Sequence, residues 1–385
     1  MTACPICRSE NVFLFLCRRG VPVHQNLLVS SRDAALKVRR GDLAMTACED
    51  CGFVFNAAFD ESLLSYGADY DNAQSHSPFF ADYLDRLVND LVVNRGVRNC
   101  HLVEVGCGKG EFLRRLVMFP NSGIRATGYD PSYLGPDGDL DGRLRFVRAF
   151  YGPETRDTRA DVVLCRHVIE HIADPRALLR VVRSTTLGPD ARVFFETPSI
   201  EWILSNQVVW DFFFEHCSLF SAEALKCAFN ASGFEVVDIN RVFGGQYFWT
   251  EARVSDTAKV SSTESPVPAL VRAFAAHNQQ KLASMEERLR ELKREGPVAL
   301  WGAGAKGTAL ANLVDPGCAI IDCLVDLNPA KQGRFVPGSG HVIVGPDSLG
   351  GRNVRTVVPM NPNYDDEIHR LIQVMNLACT AVILE

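Results

Sequence analysis

No run of apolar residues approaches the roughly 18 that a membrane-crossing helix needs. The opening MTACPICRSE also lacks the charged stretch and apolar core of a secretory signal. Neither a membrane partner nor export is expected, and the expected location is cytoplasmic. A basic block is missing too: 40 Lys and Arg are scattered among 46 Asp and Glu, for a net charge of −6. Duplex nucleic acid requires clustered cations against its phosphates, so it is not an expected partner. Thirteen cysteines without an export signal read as thiols or thiolate ligands rather than disulfides. With 47% hydrophobic and 22% charged residues the chain has the balance of a soluble globular protein, and its 385 residues exceed one ordinary core, so two or three domains are expected.

The most informative stretch is Cys100 to Pro131. His101 to Val105 reads as a buried strand, after which Gly106, Gly108 and Gly110 strip side chains from the following turn. From Glu111 the apolar residues Phe112, Leu113, Leu116 and Val117 take helical spacing, so the glycines lie between a strand and a helix N-terminus, where a nucleotide can meet bare backbone. A second strand, Ile124 to Tyr129, ends in Asp130, 22 residues beyond Gly108, where a carboxylate can accept from both hydroxyls of a ribose. A dinucleotide fingerprint would place its third glycine at position 111, but Glu111 is there and the glycine falls at Gly110. Glu104-x-Gly106-x-Gly108-x-Gly110 with Asp130 resembles the S-adenosylmethionine site of class I methyltransferases.

Cys4-Pro-Ile-Cys7 and Cys48-Glu-Asp-Cys51, separated by 40 residues, supply four thiolates for a tetrahedral, structural Zn2+ ion in a small N-terminal ribbon. Cys17 reads as a spare buried thiol. A polar, aromatic loop from Tyr66 to Pro78 precedes a helix through Asn94 and can bring Tyr70 or His76 to the substrate. Beyond Asp130, Arg145 to Val147 reads as a third strand ending near Phe150, which is placed to lie against an adenine ring. Asp161 to Cys165 is a fourth, followed by Arg166-His167-Val-Ile-Glu170-His171, with the two histidines one helical turn apart at the ligand-binding edge of an α/β sheet. After the fifth strand, Arg192 to Glu196, Glu215 and His216 sit in an aromatic segment as a pair poised to act as a base. Two more strands joined through Gly244-Gly245 bring the central sheet to seven.

Ser255 to Pro268 has the composition of a linker, and Ala269 to Glu295 that of a long amphipathic helix able to bridge domains or contact a second copy. Strand Val298 to Trp301 then runs into Gly302-x-Gly304-x-x-Gly307, with Asp326 at the end of the next strand, 22 residues beyond Gly304. That spacing satisfies the dinucleotide pattern and leaves NAD open.

Taken together, the cysteine knuckles, the Tyr70 to Pro78 loop, the donor turn, Arg166 to His171, Glu215-His216 and Gly302 to Gly307 resemble the three-domain sugar C-methyltransferases of deoxysugar biosynthesis. The resemblance implies an α/β chain with a zinc-binding domain at 1–65, a seven-stranded class I methyltransferase domain at 66–255, a linker and helix at 256–295, and a Rossmann-like substrate domain at 296–385. In that last domain it implies, instead of NAD, a nucleotide-linked substrate whose phosphates meet the glycines and Lys306. It implies S-adenosylmethionine held by Glu104, Gly106, Gly108, Gly110, Asp130, Pro131, Phe150 and Arg166. His216 would remove a proton next to a keto group, while Glu215, Tyr70 and His167 or His171 position a nucleotide-linked sugar and stabilise its enolate. The family pattern has tyrosine two residues before the glutamate, where this chain has Phe213, and a tryptophan before Asn361, where it has Met360. O- or N-methylation of another small metabolite, or nucleotide binding without turnover, are the other readings.

Overall fold

The computed structural model describes residues 3–67, 69–155, 159–257 and 264–384, arranged around three sheets. The first is antiparallel and joins Val12–Pro22, Arg40–Cys48 and Val54–Asn56. Its fourth strand, Ser218–Leu219, arrives from far along the chain to pair with Val54 and Phe55. Interior apolar packing crosses the same boundary, since Cys4, Cys51, Phe53 and Phe55 share a core with Phe220, Phe229 and Phe234. A ribbon this small cannot bury enough surface alone, and neighbouring aromatics supply the deficit.

The second sheet has eight strands where seven are expected. Parallel strands His101–Val105, Arg125–Tyr129, Leu144–Val147, Val162–Arg166 and Arg192–Pro198 form its centre. The hairpin Phe234–Val242 and Tyr247–Val254 closes one side antiparallel. The extra strand is the two-residue Gly138–Asp139 on the far edge, too short to carry a periodic signal. The order places His101–Val105 between strands reached by opposite crossovers, so its carboxyl end opens a crevice where ligands bind in such sheets.

The third sheet is wholly parallel, in the order Ile343–Val344, Ile321–Val325, Val298–Trp301, Thr356–Pro359 and Thr380–Ala381. Helix Val267–Glu295 ties it to the rest. Its buried Val271, Phe274, Met285 and Leu289 belong to the same core as Phe15 and Met45 of the first sheet and Leu300 and Leu324 of the third. Among the described residues no helix is long and apolar enough to cross a membrane.

Candidate active site

The central turn is built as its glycines require. Gly106, Gly108 and Gly110 have φ of 70°, 55° and 77°, a region that costs other residues strain. A β-carbon on Gly106 would come within 2.2 Å of Val168, and one on Gly110 within 2.3 Å of Phe146, whereas one on Gly108 would meet nothing within 4 Å. Open space beside bare backbone is what a cofactor needs. Asp130 is locked at the end of its strand: Oδ2 accepts from the Gly108 amide at 2.8 Å, and Oδ1 from the Ser132 amide at 2.8 Å and hydroxyl at 2.6 Å. Pro131, half-buried, follows in the same turn.

Glu104 lies beneath, 2% exposed, with Oε2 lacking a hydrogen-bond donor. Burial pushes its pKa up to about 8 against the pull of Arg166. Arg166 itself donates to Glu196 Oε2 at 2.7 Å and lies 4.2 Å from the Phe112 ring centre. Phe150 presents its ring to solvent, 66% exposed. The fit for an adenosyl group therefore rests on the turn, Asp130 and the unpartnered acid.

A cleft of about 260 Å³ opens beside this turn, lined from all three sheets' connecting segments. Tyr70, His167, His171, Glu215 and His216 all face it. Gly106, Gly108 and Gly110 are not among its lining residues; the loop of Tyr70 to Ser77 forms that wall, tied to the turn by Asp71 Oδ2 and Lys109 Nζ at 2.7 Å. Sequence spacing puts His167 and His171 one helical turn apart, but the backbone does otherwise. His167 takes φ of 53°, and a single tight turn, Ile169–His171, follows. The two rings consequently have different neighbours. His167 sits between Glu170 and Glu196, at 3.4 and 3.5 Å; burial alone would lower its pKa, but these carboxylates raise it to about 9. Tyr83 also donates to Glu196. His171 Nδ1 is 3.2 Å from the Tyr66 hydroxyl, and its ring stands edge-on to His216 at 4.8 Å.

Among the described residues Glu215 and His216 share no hydrogen bond, although they are adjacent in the chain. Glu215 turns away: its Oε1 meets His24 Nδ1 at 2.8 Å and its Oε2 accepts from the Gln25 amide at 2.9 Å. Burial would raise the carboxyl's pKa, but His24 and His171 hold it below the usual range, so it is ionised. His216 packs against Phe213 at 4.9 Å, and burial, reinforced by His171, lowers its pKa to about 4. The imidazole is neutral at pH 7 and its lone pair is available to a proton. His24 was not singled out from the sequence; it lies 191 residues from its partner, in the N-terminal sheet's connecting loop, and no local pattern marks it. The Tyr70 ring rests 5.9 Å from His24 and 5.1 Å from Tyr66.

On the far side the cleft meets the second glycine turn. Gly302, Gly304, Lys306, Asp326 and Lys331 line it. Lys306 Nζ contacts Asp211 Oδ2 and Gln246 Oε1, each at 3.0 Å, and Lys331 Nζ lies 3.7 Å from Asp326. Away from the cleft, the two cysteine knuckles meet: Cys4 and Cys51 sulfurs are 3.7 Å apart, Cys7 and Cys48 3.5 Å, and all four lie within 4.8 Å of one another. A tetrahedron of metal–sulfur bonds of about 2.3 Å has edges of roughly 3.8 Å, so these sulfurs are positioned to hold one ion. Cys17 is exposed, not buried.

Residues 74–239 match the family profile described as a methyltransferase domain, and residues 258–383 that of a C-methyltransferase C-terminal domain. C-methyltransferase NovU of Streptomyces niveus is 26% identical over 386 positions, spanning 95% of this chain and 90% of that protein. Among solved structures, the 1,6-didemethyltoxoflavin-N1-methyltransferase of Burkholderia thailandensis with S-adenosylhomocysteine is 19% identical, covering 46% of this chain and 82% of the other at a TM-score of 0.36. Magnesium protoporphyrin IX methyltransferase of Synechocystis with S-adenosylhomocysteine is 14% identical, covering 46% and 84% at a TM-score of 0.35. The matched domain pair and the relative aligned along nearly the whole chain make this protein an S-adenosylmethionine-dependent methyltransferase with a C-methyltransferase C-terminal domain.

Proposed function

We propose that the chain methylates the carbon beside a keto group of a nucleotide-linked deoxysugar, with His216 as the base. The observation that carries this reading is one cleft shared by a half-buried neutral imidazole and a lysine-flanked glycine turn. Such a turn suits phosphates, which meet amides at a helix N-terminus, here that of Ala305–Val314, and Lys306 beside them. The C-methyltransferase C-terminal domain and the likeness to NovU point the same way.

S-adenosylmethionine supplies an electrophilic methyl group, so the chain has to orient the acceptor, exclude water and move one proton. Glu104, the Gly106 to Gly110 turn and Asp130 would hold the donor. A ketone's α-proton is weakly acidic; His216 takes it, and the Tyr70 hydroxyl is the donor for the developing enolate oxygen, while the His167 imidazolium, held between Glu170 and Glu196, adds positive charge beside the cleft. Glu215, fixed by His24 and Gln25, contributes a buried negative charge near the imidazolium formed on His216. Cys4, Cys7, Cys48 and Cys51 would hold a structural Zn2+ ion. Replacing His216 by Asn should abolish solvent deuterium uptake beside the keto group. Unchanged uptake would remove His216 from the role.

Phe213 favours a second reading, O- or N-methylation of another metabolite, because an apolar ring stands against His216 where the resembled family has a hydroxyl. Locating the transferred methyl by mass spectrometry and NMR separates the two.

A further inference from the structure

Besides the four cysteines, the described residues bring together one more set of metal-ligating groups: Glu170, His171 and His216, whose ligand atoms all lie within 4.8 Å of one another. Glu170 is fully buried; its Oε2 accepts from the Thr197 hydroxyl at 3.1 Å, while its Oε1 receives no hydrogen bond, His167 Nδ1 standing off at 3.4 Å. A buried carboxylate oxygen with no hydrogen bond and only the long ion pair to His167 has room for a closer partner. The Tyr66 hydroxyl fixes the His171 ring, and His216 meets that ring edge-on. All three residues line the cleft, so an ion has a way in and coordination positions left over for water.

We propose that Glu170, His171 and His216 form a second site for a divalent transition metal, and that a metal bound there stops the reaction by occupying the His216 lone pair. Two imidazoles and one carboxylate suit Zn2+, Co2+ or Ni2+, whereas Mg2+ and Ca2+ seek oxygen ligands. The blocking half rests on the reading of His216 as base; the binding half does not. The site differs in softness from the thiolate cluster, so a brief chelator treatment clears it while leaving that cluster loaded.

The test uses full-length protein holding one zinc per chain, titrated with Co2+ and followed by equilibrium dialysis and visible absorption. A second equivalent binds, without the sulfur-to-metal charge-transfer band of thiolate ligands. Glu170→Gln and His171→Gln each weaken it by about 100-fold, and retention of the first zinc reports that the variants fold. Deuterium uptake into substrate falls in step with the second equivalent and returns on brief chelation. Absence of a second equivalent in the unaltered protein overturns the site, and a second equivalent insensitive to both substitutions overturns its assignment. Binding as expected with undiminished uptake overturns the blocking half and places the failure with His216 as base.

Discussion

At the central turn Asp130 accepts from the amides of Gly108 and Ser132, both at 2.8 Å; at the C-terminal turn Asp326 accepts from those of Ala303 and Asn328, at 3.1 and 2.9 Å. The backbone device is the same, but the charge around it is not. Two residues before the first glycine stands buried Glu104 in one case and buried Leu300 in the other. Lysines 306 and 331, paired with Asp211 and Asp326, line the cleft at the second turn, whereas Lys109 of the first, paired with Asp71, does not line it. One fold element thus offers two acids to a cationic ligand and, elsewhere in the chain, two cations to an anionic one. The geometry of a strand-to-helix turn creates a nucleotide site; the side chains on its rim select the ligand's charge.

The largest effect that would sharpen this contrast concerns Glu104. Its carboxyl has an ordinary value of 4.5 and a folded value of about 8, so the native protein holds this proton more tightly than the unfolded chain. Stability is therefore lost as pH rises from about 4.5 to about 8 and changes no further above that. Between those limits the unliganded protein should lose on the order of 4 kcal/mol more than Glu104→Gln does, read from urea unfolding across pH. Parallel curves would mean that the acid is not poised for a cation.

Next is Gly307→Ala, whose new β-carbon would sit 2.0 Å from the Gly302 carbonyl oxygen. We expect a loss of about 3 kcal/mol in unfolding free energy. Gly108→Ala, with open space but φ of 55°, should lose only about 1 kcal/mol while weakening donor binding. Equal losses of stability would break the distinction between an occupied and an open turn. Asp130→Ala should weaken S-adenosylhomocysteine binding by about 2 kcal/mol, roughly 30-fold, in calorimetry, with Asp326→Ala leaving it unchanged. The smaller effect on binding is that of Lys306→Ala, which should weaken a nucleotide sugar by about 1.5 kcal/mol, roughly tenfold. A matching fall in donor affinity would show that the two turns are not separate.

Both turns were legible because a strand, spaced glycines and a strand-end acid are local features whose geometry the backbone itself enforces. The cysteine knuckles were legible for the same reason. The pairing of Glu215 was not: adjacency pointed to His216, but the carboxylate found His24. Nor did spacing reveal that the left-handed backbone at His167 separates its surroundings from those of His171, or that Ser218–Leu219 completes the N-terminal sheet.

The sequence by itself therefore determined the two glycine turns and the thiolate cluster, since each depends on residues within a few tens of positions and on backbone rules that hold in any context. Only the tertiary structure decided which carboxylate faces which imidazole. Burial and charge act through space, and the groups that set the character of Glu215 and His216 come from segments up to 191 residues away.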